Sequence, residues 1–203
     1  MRLGFHVNSD ACSGCKTCQV ACKDRNTLPA GVHWRRVYEV AAGGWTRKGT
    51  AWIPGVAAYY LSVSCFHCAM PVCANACTVD AIWKRPDGVV LVDQDRCTKC
   101  YKCEADCPYG AITHGRPGDP VGKCDLCTDE IDAGRPPACV AACPNRALGF
   151  GDLSDLRKAH GPADRVFPLA DPGVAQPSVV ITPHRDAAAA LERSPAVANW
   201  EEV

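Results

Sequence analysis

The chain has 203 residues, 47 % hydrophobic and 22 % charged, the balance of a soluble globular protein with one large domain or two small ones. Its 22 basic and 22 acidic residues cancel, which makes no case for nucleic acid, and no apolar run approaches the roughly 18 residues of a membrane span. The outlier is cysteine, 16 of 203, gathered in four tight groups.

The first residues, MRLGFHVNSDAC, contain no apolar signal region, so no secretory signal is expected on this chain. They lead into group one, CSGCKTCQVAC, with Cys12, Cys15, Cys18 and Cys22 at spacings of two, two and three. Residues 23–64 carry no cysteine and read as a β-rich insertion, with WRRVYEV and AAYYLSVS as β-prone runs broken by Gly43-Gly44 and Gly55. The twin arginine Arg35-Arg36 lies inside this stretch with no apolar run after it. Group two, CFHCAMPVCANAC, holds Cys65, Cys68, Cys73 and Cys77 at two, four and three. Then AIWKRPDGVVLVD predicts a β-hairpin, with Ile82-Trp83 and Val89–Val92 as strands and Pro86-Asp87-Gly88 as the turn. Group three, CTKCYKCEADCP, returns to two, two and three with Cys97, Cys100, Cys103 and Cys107. Group four stretches the pattern to two, eleven and three, with Cys124, Cys127, Cys139 and Cys143. After it, DLSDLRKAHG predicts a short helix ending at Gly161. A Pro-rich tail follows, with a strand-like SVVIT and the end AVANWEEV, expected to lie along a partner or the domain.

Disulfides, zinc and iron–sulfur clusters compete for these thiols. A disulfide framework belongs to short secreted chains with scattered cysteines, and CxxC neighbours bond to each other only as redox pairs. Zinc favours two separated pairs in one closed tetrahedron, a description that group four alone could meet. Groups one and three carry the ferredoxin spacing instead. A 4Fe–4S cubane needs a thiolate at each of four corners, and a tight loop with Cys at every third position reaches three of them. The fourth Cys, four positions on, begins to face away; in two-cluster ferredoxins it serves the other cluster. Pro108 and Pro144 fit the usual ending. An internal repeat supports this: CTVDAI, CPYGAI and CPNRAL place Ala and an aliphatic residue four and five positions past the last cysteine. Group one departs with CKDRNT.

Other residues invite weaker readings. His67, inside a group already holding four cysteines, is a packing or supporting residue; His6, His33, His114, His160 and His184 show no ligand spacing. Trp34, Trp45, Trp52 and Tyr59-Tyr60 suit an interface or the core equally. Lys16, Lys23, Lys84, Arg85, Lys99, Lys102, Lys123 and Arg146 lie beside the groups, where cations offset cluster charge. With about −2 for each oxidised cluster and its thiolates, the loaded protein would stand near about −8. There is no GxGxxG loop and no nucleophile constellation, so flavin, nicotinamide and hydrolytic roles have no support.

CSGCKTCQVACKDRN, WRRVYEV, AAYYLSVSCFHC, KRPDGVVLVDQDRC, KCDLC, RPPACVAACPNRAL and DLRKAHG together cover nearly the whole chain. In them the chain resembles the four-cluster electron-transfer subunits of molybdopterin oxidoreductases, most closely the dimethyl sulfoxide reductase iron–sulfur subunits. Thr78 stands where Pro is common, and residues 186–198 look unlike the family's tail. The resemblance implies an α+β fold of tandem two-cluster ferredoxin-like modules. Residues 1–22 with 120–150 would form one module and 65–119 the other. The insertion would be 23–64, and 151–203 a helix and extended partner-binding tail. It implies four 4Fe–4S clusters: Cys12, Cys15, Cys18 and Cys143; Cys124, Cys127, Cys139 and Cys22; Cys65, Cys68, Cys73 and Cys107; Cys97, Cys100, Cys103 and Cys77. One group-three cysteine is Trp in a related nitrate reductase subunit with a 3Fe–4S centre; here all are present. Electrons would enter from a membrane quinol-oxidising subunit near group three. They would leave near group one for a molybdopterin catalytic subunit, and this chain would have no catalytic residue or small-molecule substrate of its own. The complex would sit peripherally on the cytoplasmic membrane, exported folded with a twin-arginine-signal partner, or remain cytoplasmic. The same wire also suits a formate dehydrogenase, a polysulfide or thiosulfate reductase or a soluble molybdenum enzyme. A zinc-bound interaction module is the remaining rival.

Overall fold

A strand, a cysteine loop and a short helix form the unit that builds this chain. The computed structural model describes residues 1–203 and repeats that unit for each cysteine group. β1 (Leu3–Asn8) leads to group one, whose last two cysteines ride on α1 (Thr17–Arg25). The insertion runs through β2 (Arg35–Ala42), β3 (Trp45–Lys48), β4 (Ala51–Pro54) and β5 (Ala57–Ser64), and β5 delivers the chain to Cys65. Group two closes on α2 (Val72–Asn75), followed by β6 (Ile82–Lys84) and β7 (Val90–Val92). Group three closes on α3 (Lys102–Ala105), followed by β8 (Ile112–Thr113) and β9 (Gly122–Lys123). Group four spends its long loop on α4 (Thr128–Asp132) and closes on α5 (Ala138–Ala141), before β10 (Leu148–Asp152). Then come α6 (Leu153–His160), β11 (Val179–Thr182), α7 (Ala187–Leu191) and β12 (Ala196–Val197). Short helices and small sheets make the class α+β.

Alternation explains the sheets. β2 and β5 pair antiparallel from Arg35↔Ser64 to Ala42↔Ala57; Val40, Leu61 and Val63 lie on one face and Arg35, Val37, Ser62 and Ser64 on the other, and both sets are buried. β1 lies between β10, antiparallel, and β11, parallel, and adds Phe5 and Val7. Both sheets and most of the cysteine loops share one core, and each large apolar side chain buried there contributes about 1.5–3 kcal/mol. A smaller core of Ile82, Val90, Ile112 and Val121 lies under groups two and three. Between them, β6 and β7 form the hairpin where the turn chemistry predicts it, with Gly88 at φ 88°.

The C-terminal stretch lies along the domain. α6 begins at Asp152, whose carboxylate accepts the Ser154 N–H at 2.9 Å, and ends at Gly161. Fully buried Val179, Val180 and Ile181 bring β11 onto β1; α7 packs on β5, and β12 pairs with β2. Asn199 fastens the end, accepting from Glu39 N–H and donating to Val37 O. The insertion's aromatics divide: Tyr59 is core, whereas the β3–β4 hairpin is exposed throughout, with Trp45 and Trp52 at 61 % and 63 %. No helix is long and apolar enough to cross a membrane.

Candidate metal centres

Backbone strain shapes the cysteine loops. Two residues past the first cysteine of every group stands a left-handed residue: Gly14 at φ 72°, His67 at 45°, Lys99 at 60° and Leu126 at 62°. Lys16 and Tyr101 repeat the feature after the second cysteine of groups one and three, the two with identical spacing. A side chain in this conformation costs on the order of 1–2 kcal/mol and persists where the surroundings enforce it. At Gly14 they forbid one: a Cβ there would lie 2.5 Å from the Tyr60 ring.

The repeated Ala past the last cysteine now has a physical meaning. Asp80, Gly110 and Arg146 sit three residues beyond Cys77, Cys107 and Cys143, each left-handed. The turn aims the next N–H, of Ala81, Ala111 or Ala147, at the Sγ of that cysteine, at 3.3, 3.4 and 3.3 Å. Group one lacks the motif because α1 runs on past Cys22, and there the Asn26 side chain supplies the donor, 3.7 Å from Cys22 Sγ. Thr17 Oγ1 donates to Cys15 Sγ at 3.3 Å, Leu126 N–H to Cys124 Sγ at 3.4 Å, and Ser62 Oγ lies 3.4 Å from Cys18 Sγ. Such donors stabilise negative charge on sulfur.

All sixteen cysteines are free thiols. One cavity is lined by Cys12, Cys15, Cys18 and Cys143. A second is lined by Cys77, Cys97, Cys100 and Cys103, and a third by Cys65, Cys68, Cys73 and Cys107. Cys22 stands within electrostatic reach of Cys139 and Cys127, and Cys124 of Cys22 and Cys139. Helix pairing produces this mixing of groups. In group one the third and fourth cysteines are about one turn apart on α1, whereas Cys77, Cys107 and Cys143 stand two residues past the ends of α2, α3 and α5. Where α1 packs on α5, and α2 on α3, the last cysteine of each group is brought beside its partner's loop.

The donor set fits an iron–sulfur cluster better than a single ion. No group of three or more Cys, His, Asp or Glu converges tightly enough for one metal ion, whereas tetrahedral zinc needs four ligands at about 2.0–2.3 Å. Separated thiols around a cavity suit a group with a metal atom at each corner. Tyr109 lines the cavity of Cys65, Cys68, Cys73 and Cys107, and its buried hydroxyl has no protein partner. Without iron, most of these thiols hold their protons. Burial, then neighbouring thiols, push Cys68 and Cys73 up to about 12, and burial, opposed by Arg35 and aided by Cys139 and Cys127, brings Cys22 to about 12. Cys124 rises well above the ordinary range, chiefly by burial. At the surface, the Thr17 hydroxyl and N–H lower Cys15. Iron supplies the positive charge that makes thiolates of the rest.

Two cations are buried among the thiols. Lys123 Nζ donates to the carbonyls of Val90 and Cys124. Arg35 donates from Nη1 to Ser62 Oγ at 3.0 Å and from Nη2 to Ser64 Oγ at 2.9 Å, with its guanidinium 4.5 Å from the Phe5 ring centre. Lys123 belongs to the basic set read beside the groups; of that set Lys99 and Lys102 are exposed, Lys16 pairs with Glu202 and Arg85 with Asp132. Arg35 is visible in sequence only as half of an internal twin arginine. Its signal lies in the partner strand, where Ser62 and Ser64 face it from a wholly buried run. His67 is a packing residue: Nδ1 accepts the Val90 N–H at 3.0 Å, and burial keeps the ring neutral.

Residues 56–153 match the family described as the 4Fe-4S dicluster domain. The B subunit of the anaerobic dimethyl sulfoxide reductase of Escherichia coli (strain K12) is 42 % identical over 202 residues, covering 100 % of this chain and 98 % of that protein. The corresponding B subunit from Haemophilus influenzae is 38 % identical over 203 residues, 100 % of this chain and 99 % of its own. The formate dehydrogenase iron-sulfur subunit of Wolinella succinogenes is 32 % identical over 177 residues, 76 % of this chain and 84 % of its own.

Proposed function

The chain belongs to the iron–sulfur subunits of dimethyl sulfoxide reductase-type complexes, which bind 4Fe–4S clusters, and we propose that it relays single electrons through four of them. The donor is a quinol-oxidising membrane subunit and the acceptor a molybdopterin catalytic subunit. Cys12, Cys15, Cys18 and Cys143 hold the first cluster, and Cys124, Cys127, Cys139 and Cys22 the second. Cys65, Cys68, Cys73 and Cys107 hold the third, and Cys97, Cys100, Cys103 and Cys77 the fourth. Each cluster, when bound, takes up and releases one electron at a time. The chain's own residues hold the iron, donate N–H groups to the thiolate sulfurs, and exclude water with an apolar core.

The observation that carries this reading is the cavity of Cys12, Cys15 and Cys18 completed by Cys143, a residue from the far end of the cysteine region. Electrons enter at the group-three end and leave at the group-one end. The complex sits peripherally on the cytoplasmic membrane, carried across folded with a partner that bears a twin-arginine signal. A second reading keeps the wire and changes its ends to those of a formate dehydrogenase, supported by the 32 % identity to that Wolinella subunit. Anaerobic co-purification separates them: a large molybdopterin subunit reducing dimethyl sulfoxide, with a multi-span membrane subunit, is expected. A formate-oxidising large subunit would favour the second reading, and a colourless protein with about four zinc atoms would exclude both.

A further inference from the structure

Arg35 and Lys123 are the only Lys or Arg side chains fully buried in the chain. Arg35 is 1 % exposed, has no carboxylate partner, and is held by two serine hydroxyls and the face of Phe5. A guanidinium withdrawn from water costs several kcal/mol unless negative charge faces it. Burial works against its charge, and Cys139, Cys18, Cys124 and Cys22 lie within its electrostatic reach, where thiolate charge on them opposes that cost. These four come from both helices of the α1–α5 pair and the loop ahead of α4, so one cation faces two sets of thiols. Ser62 makes the contact specific. Its oxygen accepts from Arg35 Nη1 at 3.0 Å, which leaves its own proton free for Cys18 Sγ, 3.4 Å away.

We propose that Arg35 sets the reduction potentials of the two clusters assigned above to groups one and four, with Ser62 passing its effect to Cys18. A fixed positive charge in a low-dielectric interior favours the state with the extra electron and so raises both potentials. Guanidinium does not deprotonate in the working range, so the effect is constant with pH. The buried cation nearest group two is a different one, Lys123, within electrostatic reach of Cys73.

The proposal builds on the ligand sets of the proposed function, and its test separates the two. Potentiometric titration of the cluster-loaded complex, followed by paramagnetic resonance, is run beside an iron assay on Arg35→Gln and Arg35→Lys. Arg35→Gln should keep its iron and lower two of the four potentials at least tenfold in the oxidised-to-reduced ratio, 59 mV for a one-electron couple. Arg35→Lys, which retains the charge, should recover most of that shift. Unmoved potentials with full iron, or equal shifts in both variants, overturn the proposal and leave the cluster assignment standing. A wild-type complex without the iron and the four signals overturns the assignment instead. Should Arg35→Gln fail to hold iron, Ser62→Ala is read: only the signal that Cys15→Ser abolishes should fall in potential, and an unmoved signal overturns the proposal.

Discussion

At the scale of single residues, conformation decides more than composition. Gly14 holds φ 72° beneath the Tyr60 ring, so Gly14→Ala adds backbone strain of about 1 kcal/mol and a contact no side chain can take. The variant should lose the signal of the cluster held by Cys12, Cys15 and Cys18 and keep the other three; full retention of all four by resonance spectroscopy would contradict the packing. The thiols yield a second prediction, from proton linkage. In the folded, iron-free chain Cys22, Cys68 and Cys73 titrate at about 12, against an ordinary 9.0. Between those values the folded state holds more protons than the unfolded one, so stability falls as pH rises. The urea midpoint of the iron-free chain should drop steadily from pH 9 upward while that of the loaded protein stays level; parallel slopes would refute the linkage. The cysteines and their spacing are legible because each group is local. Arg35 is not, since its meaning depends on Ser62 and Ser64, more than 25 residues away on another strand.

Among elements, the short helices connect the loops. The spacing shows four groups of four, but the partner of each last cysteine depends on α1 packing against α5 and α2 against α3, contacts between distant segments. That pairing comes from resemblance; no local pattern contains it. It predicts an outcome that spacing alone would not. Cys143→Ser and Cys15→Ser should abolish or convert the same cluster signal, and Cys127→Ser a different one; a shared effect of Cys143→Ser and Cys127→Ser would show that each group serves its own cluster. The Ala exits are likewise visible as a repeat, without their function. The N–H···S contact needs the left-handed residue before each Ala, and only Gly110 of the three announces such a conformation. The β6–β7 hairpin is the most readable element, because Pro86-Asp87-Gly88 specifies its turn locally.

For the whole molecule, the two ends of the chain are joined through β1. β11 lies parallel to it and buries Val179, Val180 and Ile181. At about 1.5–3 kcal/mol each, these three supply a large share of a typical domain stability of about 5–15 kcal/mol. Truncation after Gly161 should therefore abolish cooperative thermal unfolding, whereas removing only residues 201–203 should leave the transition intact; an unaltered transition in the longer deletion would mean the tail is dispensable. A Pro-rich stretch gives no local sign of this role, since the strand it supports lies at the opposite end of the sequence. The central claim concerns the cluster content of the assembled protein. Iron and acid-labile sulfide, measured per polypeptide on anaerobically isolated complex, test it most directly. Four cubanes predict about sixteen of each, and about eight of each, or zinc without sulfide, would contradict a four-cluster wire.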